Sequence, residues 1–316
     1  MDIFLFAFNG VFPLVLIVAF GYFLKRIELF DELFIKQANK FCFMAAFPLQ
    51  LFYNIYHIDF NKRPNISLML FIVASILIMV ALLIIVVPRV IKDSKKRGAF
   101  IQGAYRSNFL LIGLPLAKNL FGDVGVAVAS LALPLVVPIY NFCAVLVLSM
   151  FSEKNKELKF SYARLIVEII KNPLIIASLL GLLFGILGFN LPIALDNGIR
   201  DVGSIATPLA LVLLGGQFCF SDLAGNFKYA ISASFLRIIL LPLIVIIIAV
   251  LFGFRGIELS TILIIFASPS AISGYVMAQN MYNDAQLAGQ IIVITTFSSA
   301  ATLFAWIYLL RLLEFI

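Results

Sequence analysis

Arg106-Ser107-Asn108-Phe109-Leu110-Leu111-Ile112-Gly113-Leu114-Pro115-Leu116 and Phe266-Ala267-Ser268-Pro269-Ser270-Ala271-Ile272-Ser273-Gly274-Tyr275 decide how this chain is read. Both lie inside long apolar stretches. Proline lacks an amide donor and clashes with the preceding turn, so each helix should break or kink here. Gly113 and Gly274 let the backbone leave helical geometry at low steric cost. A broken backbone cannot face hydrocarbon, because its freed amides and carbonyls need partners; it must be buried in protein or line a cavity. Asn108, Ser268, Ser270 and Ser273 supply polar side chains at that depth. The second half of each broken helix begins with free amides and the positive end of its dipole, a setting that favours an anion. A single proline often only kinks a membrane helix. Two interruptions at matching places point to a binding site.

The match extends along the chain. Pro13-Leu14 and Gly21 recur about 160 residues later as Pro173-Leu174 and Gly181. Ala46-Phe47-Pro48-Leu49-Gln50-Leu51 recurs as Ala206-Thr207-Pro208-Leu209-Ala210-Leu211, and Gly113, Ala117, Asn119 and Asp123 recur as Gly274, Ala278, Asn280 and Asp284. Hydropathy fits ten spans, near residues 3–24, 37–56, 67–88, 98–121, 125–150, 170–189, 192–219, 229–252, 257–281 and 285–312. Five spans per half is an odd number, so the second half enters the membrane in the opposite sense. The expected fold is an all-α membrane protein of two inverted five-helix repeats, an organisation shared by many secondary transporters. The expected divisions are 1–152 for the first repeat, 153–169 for a short cytoplasmic linker and 170–316 for the second repeat.

Composition agrees. The chain is 63% apolar and 12% charged, where a soluble domain carries about 25% charged residues. The net charge of +7 therefore does not imply nucleic acid. Fifteen of the 23 basic residues fall in loops on one side, including Lys95, Lys96, Arg97 and Lys156; six fall on the other, and Arg106 and Arg237 lie inside spans. That asymmetry predicts both termini outside a plasma membrane. The first segment carries Asp2 and ends in Lys25-Arg26, which reads as a retained span rather than a cleaved signal.

Other chemistries find little support. Cys42, Cys143 and Cys219 lie in apolar segments and behave as small hydrophobes. His57, the single histidine, reads as a surface residue. No Asp or Glu falls near the middle of a predicted span, which counts against an acidic proton carrier, and no clustered donors suggest a metal. No cofactor is expected. An intramembrane hydrolase would need a base near its nucleophile, and Ser270 has none in sequence reach. A non-transporting membrane sensor stays open as an alternative, and so does sodium coupling through carbonyls, serine hydroxyls, Gln290 or Thr295.

The run Gly103–Ala117 resembles the fourth span of the auxin efflux carrier family in its bacterial, malate-permease-like form. Ala267–Gln279 resembles the ninth span and Leu287–Thr296 the start of the tenth. Phe47-Pro48-Leu49 and Thr207-Pro208-Leu209 fit the second and seventh. The resemblance covers essentially the whole chain. It implies that the broken fourth and ninth spans cross at the substrate site, that small organic anions such as malate or auxin-like acids are carried by alternating access, and that spans one, two, six and seven form the more static group. It also makes a homodimer plausible. The long central loop of the plant carriers is absent here. Asn108, Pro115 and Pro269 sit at the family's motif positions; with Arg106, Gly113, Leu114, Ser268, Ser270 and Ser273, read from the broken spans themselves, they are the expected substrate contacts. Arg106 keeps two readings. It is either the counter-charge for a carboxylate, or it snorkels toward the headgroups. Arg237 has the same ambiguity, with a structural role favoured. Pro48 and Pro208 read as hinges or packing kinks, and Gly181, Gly185, Gly215 and Gly216 as close helix contacts.

Overall fold

A computed structural model describes residues 13, 16–57, 65–109, 113–152, 167, 169–217 and 223–316. Among these there is no strand. The helices are α1 (16–26), α2 (Glu32–Phe41), α3 (Phe47–Tyr56), α4 (Ile66–Val90), α5 (Ser94–Tyr105), α6 (Leu114–Leu131), α7 (Leu133–Phe151), α8 (Pro173–Ile186), α9 (Ile193–Ser204), α10 (Ala206–Gly216), α11 (Leu223–Phe235), α12 (Leu241–Leu251), α13 (Gly256–Ala267), α14 (Ser273–Asn280) and α15 (Ala285–Leu312). Five helical stretches are long and apolar enough to cross a membrane: Ile66–Val90, Leu133–Phe151, Ile193–Gly216, Asn226–Leu251 and Ala285–Leu312. Pro173–Ile186 and Gly256–Ala267 are apolar but shorter. The outer surface is itself apolar, with Leu70, Ile78, Leu82 and Val90 of α4 exposed, as suits a hydrocarbon solvent.

Prolines shape two helices without ending them. Pro48 cannot donate to the Met44 carbonyl, and the chain widens into a π turn over Cys42–Ala46 just before it. Pro242 leaves the Ile238 carbonyl free in the same way. A second π turn covers Leu236–Leu240, and the Trp306 indole donates to Ile238 O at 3.0 Å. Sequence hydropathy separates spans four and five at residues 122–124. The helical run Leu114–Leu131 is interrupted at that place: Gly122, with φ 61° and ψ −149°, is non-helical, a conformation that needs glycine.

Packing divides the helices into two groups that draw on both halves of the chain. α2 and α3 pack with α8, α9 and α10; α4, α5 and α7 pack with one another, and α11, α13, α14 and α15 join them. α1 belongs with the first group, because a Cβ at Gly215 would lie 1.9 Å from Val18 O. The α1 and α10 backbones are therefore in contact, as the small residues suggest. Contact between the groups runs mainly through α7–α8 and through α14, which touches α2 and α10.

Candidate functional site

The two interrupted stretches meet. α5 stops at Tyr105 and α13 at Ala267, and the extended segments beyond them pair in one antiparallel bridge, Ser107 opposite Ser270. Asn108 N donates to Pro269 O at 2.9 Å, and Ala271 N donates to Arg106 O at 3.3 Å. Ser270 N donates to Thr295 Oγ1 at 3.1 Å. The backbone groups that proline and chain extension release are thus satisfied by the opposite break and by α15, as buried backbone requires.

Arg237 completes this junction from behind. It is fully buried on the second π turn. Its Nη1 donates to Tyr105 O at 2.8 Å, its Nε to Ser268 O at 2.9 Å and its Nη2 to Ile265 O at 3.0 Å. Ile265 is the residue whose carbonyl Pro269 cannot bond. One guanidinium therefore ties the C-terminal ends of α5 and α13, where carbonyls are in excess and the helix dipole is negative.

In front of the junction lies a cavity of about 240 Å³. Its polar wall comes from Gln50 and Asn54 on α3, Arg106, Ser107 and Asn108 at the first break, Asn141 on α7, Thr207 on α10, and Ser273 at the start of α14. Arg106 is the one charged residue among the described lining. It is 5% exposed, so it does not snorkel, and it sits just past the end of α5 rather than within a helix. Its Nη2 donates to Asn141 Oδ1 at 2.6 Å and its Nη1 contacts the Met277 thioether. With the Gln102 amide turned over, that side chain accepts from Arg106 Nη1 at 3.1 Å and donates to Gly274 O at 3.2 Å. None of these acceptors is an anion. The Asn54, Asn108 and Ser273 side chains make no hydrogen bond with described residues, and the buried Ser107 hydroxyl has no partner among them.

The expected site residues thus separate. Arg106, Asn108 and Ser273 face the cavity. Gly113, Ser268, Pro269 and Ser270 belong to the junction. A Cβ at Gly113 would lie 2.2 Å from Ile264 Cγ2, and the Ser268 hydroxyl bonds back to Ile264 O at 2.6 Å. Leu114 and Pro115 open α6, and their side chains lie outside the described residues, as do Lys156 and Cys219. Gln50, Asn54, Asn141 and Thr207 were missed. Gln50 Nε2 donates to Thr207 Oγ1 at 3.2 Å, so the repeated proline motifs of spans two and seven touch through their polar residues. A polar residue beside each repeated proline was the available signal. A larger open groove of about 810 Å³ between α4 and α11–α12 is lined mostly by aliphatic side chains and presents hydrocarbon-like surface instead.

Long apolar helices around a small polar cavity are the build of a multi-pass membrane protein. The chain matches the family described as membrane transport protein over residues 6–307 and belongs to it, the auxin efflux carrier family that its broken spans resemble. A protein described as an uncharacterized transporter of Methanocaldococcus jannaschii is 25% identical over 316 residues, covering 95% of this chain and 98% of that one. Another, from Methanothermobacter thermautotrophicus, is 24% identical over 321 residues, covering 96% of this chain and 98% of its own.

Proposed function

We propose that the protein is a secondary transporter of small organic anions, carboxylates above all, working by alternating access at the paired breaks. The observation that carries this reading is Arg106: a buried guanidinium in a polar cavity, held by neutral acceptors only. An unpaired buried charge is costly, and a carboxylate entering the cavity offsets that cost with bidentate, charge-assisted hydrogen bonds. Asn108, Ser107, Asn54 and the amide end of α14 complete the anion's shell.

Ten spans in two inverted repeats, with both termini outside the plasma membrane, is the topology we adopt. The meeting of equivalent motifs supports it: break with break, and Gln50 with Thr207. In this topology the cavity opens outward. On the opposite side of the junction, Asn39 on α2 bonds Gln279 and Asn280 at the end of α14, and Tyr275 bonds Gln217. These contacts close the cytoplasmic path between the static group (α1–α3 with α8–α10) and the moving group that carries the breaks. A homodimer through the static group fits the same scheme.

Counterflow in proteoliposomes tests the reading. Malate, pyruvate, benzoate and indole-3-acetate are compared with their neutral amides. Carboxylates should exchange and amides should not. Equal exchange of an amide and its acid overturns the organic-anion assignment.

A further inference from the structure

We propose that Arg237 is a resident cation occupying the place where a broken-helix carrier holds its coupling ion, so that this transporter binds and needs no sodium there. The inference rests on the transporter reading and deepens it by addressing coupling. In carriers with interrupted helices, unwound carbonyls and the C-terminal ends of half-helices hold the coupling cation. Here two such ends converge, α5 and α13, with Tyr105, Ile265 and Ser268 carbonyls directed at one point. A loose cation would need these oxygens. All three already accept from one side chain.

The neighbouring oxygens are also engaged. Arg106 O accepts from Ala271 N, Pro269 O from Asn108 N, and Ile264 O from Ser268. Thr295 Oγ1 accepts from Ser270 N and donates to Ile291 O at 2.7 Å. The Arg237 charge has no carboxylate partner among the described residues. Two negative helix ends and three carbonyl dipoles balance it. An arginine stays protonated in proteins, so this cation neither leaves nor gives up a proton. Its position is built in. The π turn forced by Pro242, with the Ile238 carbonyl taken by Trp306, turns Arg237 inward.

The test needs no substrate, so its failure and that of the organic-anion reading are distinguishable. Thermal midpoints of the purified protein are measured in sodium chloride and in choline chloride at equal ionic strength. Wild type should show the same midpoint in both. Arg237→Gln, which removes the charge, should melt lower in choline and regain at least about 2 °C in sodium chloride or millimolar guanidinium chloride, with a concentration dependence typical of a bound ligand. Arg237→Lys keeps a fixed cation and should ignore sodium as wild type does. A sodium-specific rise in wild type or in Arg237→Lys overturns the proposal. So does an Arg237→Gln protein whose midpoint responds to neither sodium nor guanidinium. If Arg237→Gln does not survive purification, wild type and Arg237→Lys still decide: insensitivity to sodium in both upholds the resident cation.

Discussion

Arg106 and Arg237 lie on opposite faces of one junction, and their surroundings differ in a way that separates their roles. Arg237 is enclosed by backbone carbonyls from two helix ends. Arg106 is 5% exposed on the cavity wall and has the Asn141 oxygen, the Met277 thioether and the turned-over Gln102 oxygen for partners. A guanidinium offers five N–H donors. At Arg237 the fold itself supplies strong acceptors, in the plane the guanidinium presents. At Arg106 the acceptors are neutral, one is weak, and together they use fewer than its five donors. Two residues of one type are thus partnered differently, and in the proposed reading it is the substrate that completes Arg106.

The sharpest way to break this contrast is Arg106→Gln. Two charge-assisted hydrogen bonds to a carboxylate are worth about 1.5–3 kcal/mol each. The variant should therefore lose on the order of 100-fold in apparent carboxylate affinity, while its thermal midpoint stays near wild type. Competition by a carboxylate series in proteoliposomes, run beside a melting curve, measures both. A large fall in midpoint with affinity intact would make Arg106 a second Arg237 and remove the anion site.

The junction was the legible part of this site, and the cavity was not. Proline, glycine and small polar residues inside an apolar span state a local backbone fact, that the helix cannot continue, and this is visible without neighbours. Pro115 and Pro269 carried it. Which polar side chain faces the ligand depends on which helix stands opposite, and no local pattern reports that. Nothing local reports that the Ser268 hydroxyl bonds back to its own helix while Ser270 joins the bridge. Gln50 and Asn54 were passed over because they sit on a helix read for its proline. Arg106 illustrates both limits. Its rarity in a span marked it, but its direction depended on α5 ending at Tyr105, one residue earlier.

Pro269→Ala acts on the same contrast from behind. It restores an amide that competes with Arg237 for the Ile265 carbonyl and favours helix where the extended bridge to Asn108 now lies. Transport rate should fall roughly tenfold or more, about 1.4 kcal/mol on the rate-limiting step. Expression and insertion should remain normal. Pro115→Ala, at the other interruption, should act in the same direction. Unchanged flux in both variants would reduce the prolines to ordinary kinks.

Asn108→Ala removes a cavity-facing carboxamide but keeps the backbone bond from Asn108 N to Pro269 O. One hydrogen bond to a charged group is lost, at about 1.5 kcal/mol or more. Apparent affinity should weaken by about tenfold, with maximal rate little altered. An equal loss for every substrate, accompanied by a lower midpoint, would place Asn108 in the junction instead.

The smallest expected effect lies across the junction from the cavity, and it tests whether the two packing groups move. Asn39 bonds both Gln279 and Asn280, joining α2, of the group proposed as static, to α14, of the group proposed to move. Neutral hydrogen bonds are worth about 1 kcal/mol net each, so Asn39→Ala should shift the balance toward the state open on that side by at least roughly fivefold. A cysteine at Asn54, on the cavity wall, reports the shift in a background where Cys42, Cys143 and Cys219 are replaced. Its labelling from outside by a membrane-impermeant maleimide should slow, by up to that factor when the outward-open state is the minor one, because the cavity is open to that side for less of the time. Charge at the cavity is untouched, so the preference for carboxylate over amide should persist. Labelling at the unaltered rate would mean that Asn39 only packs α14, and that the closure between the groups is held elsewhere, with Tyr275 and Gln217 the next pair to test.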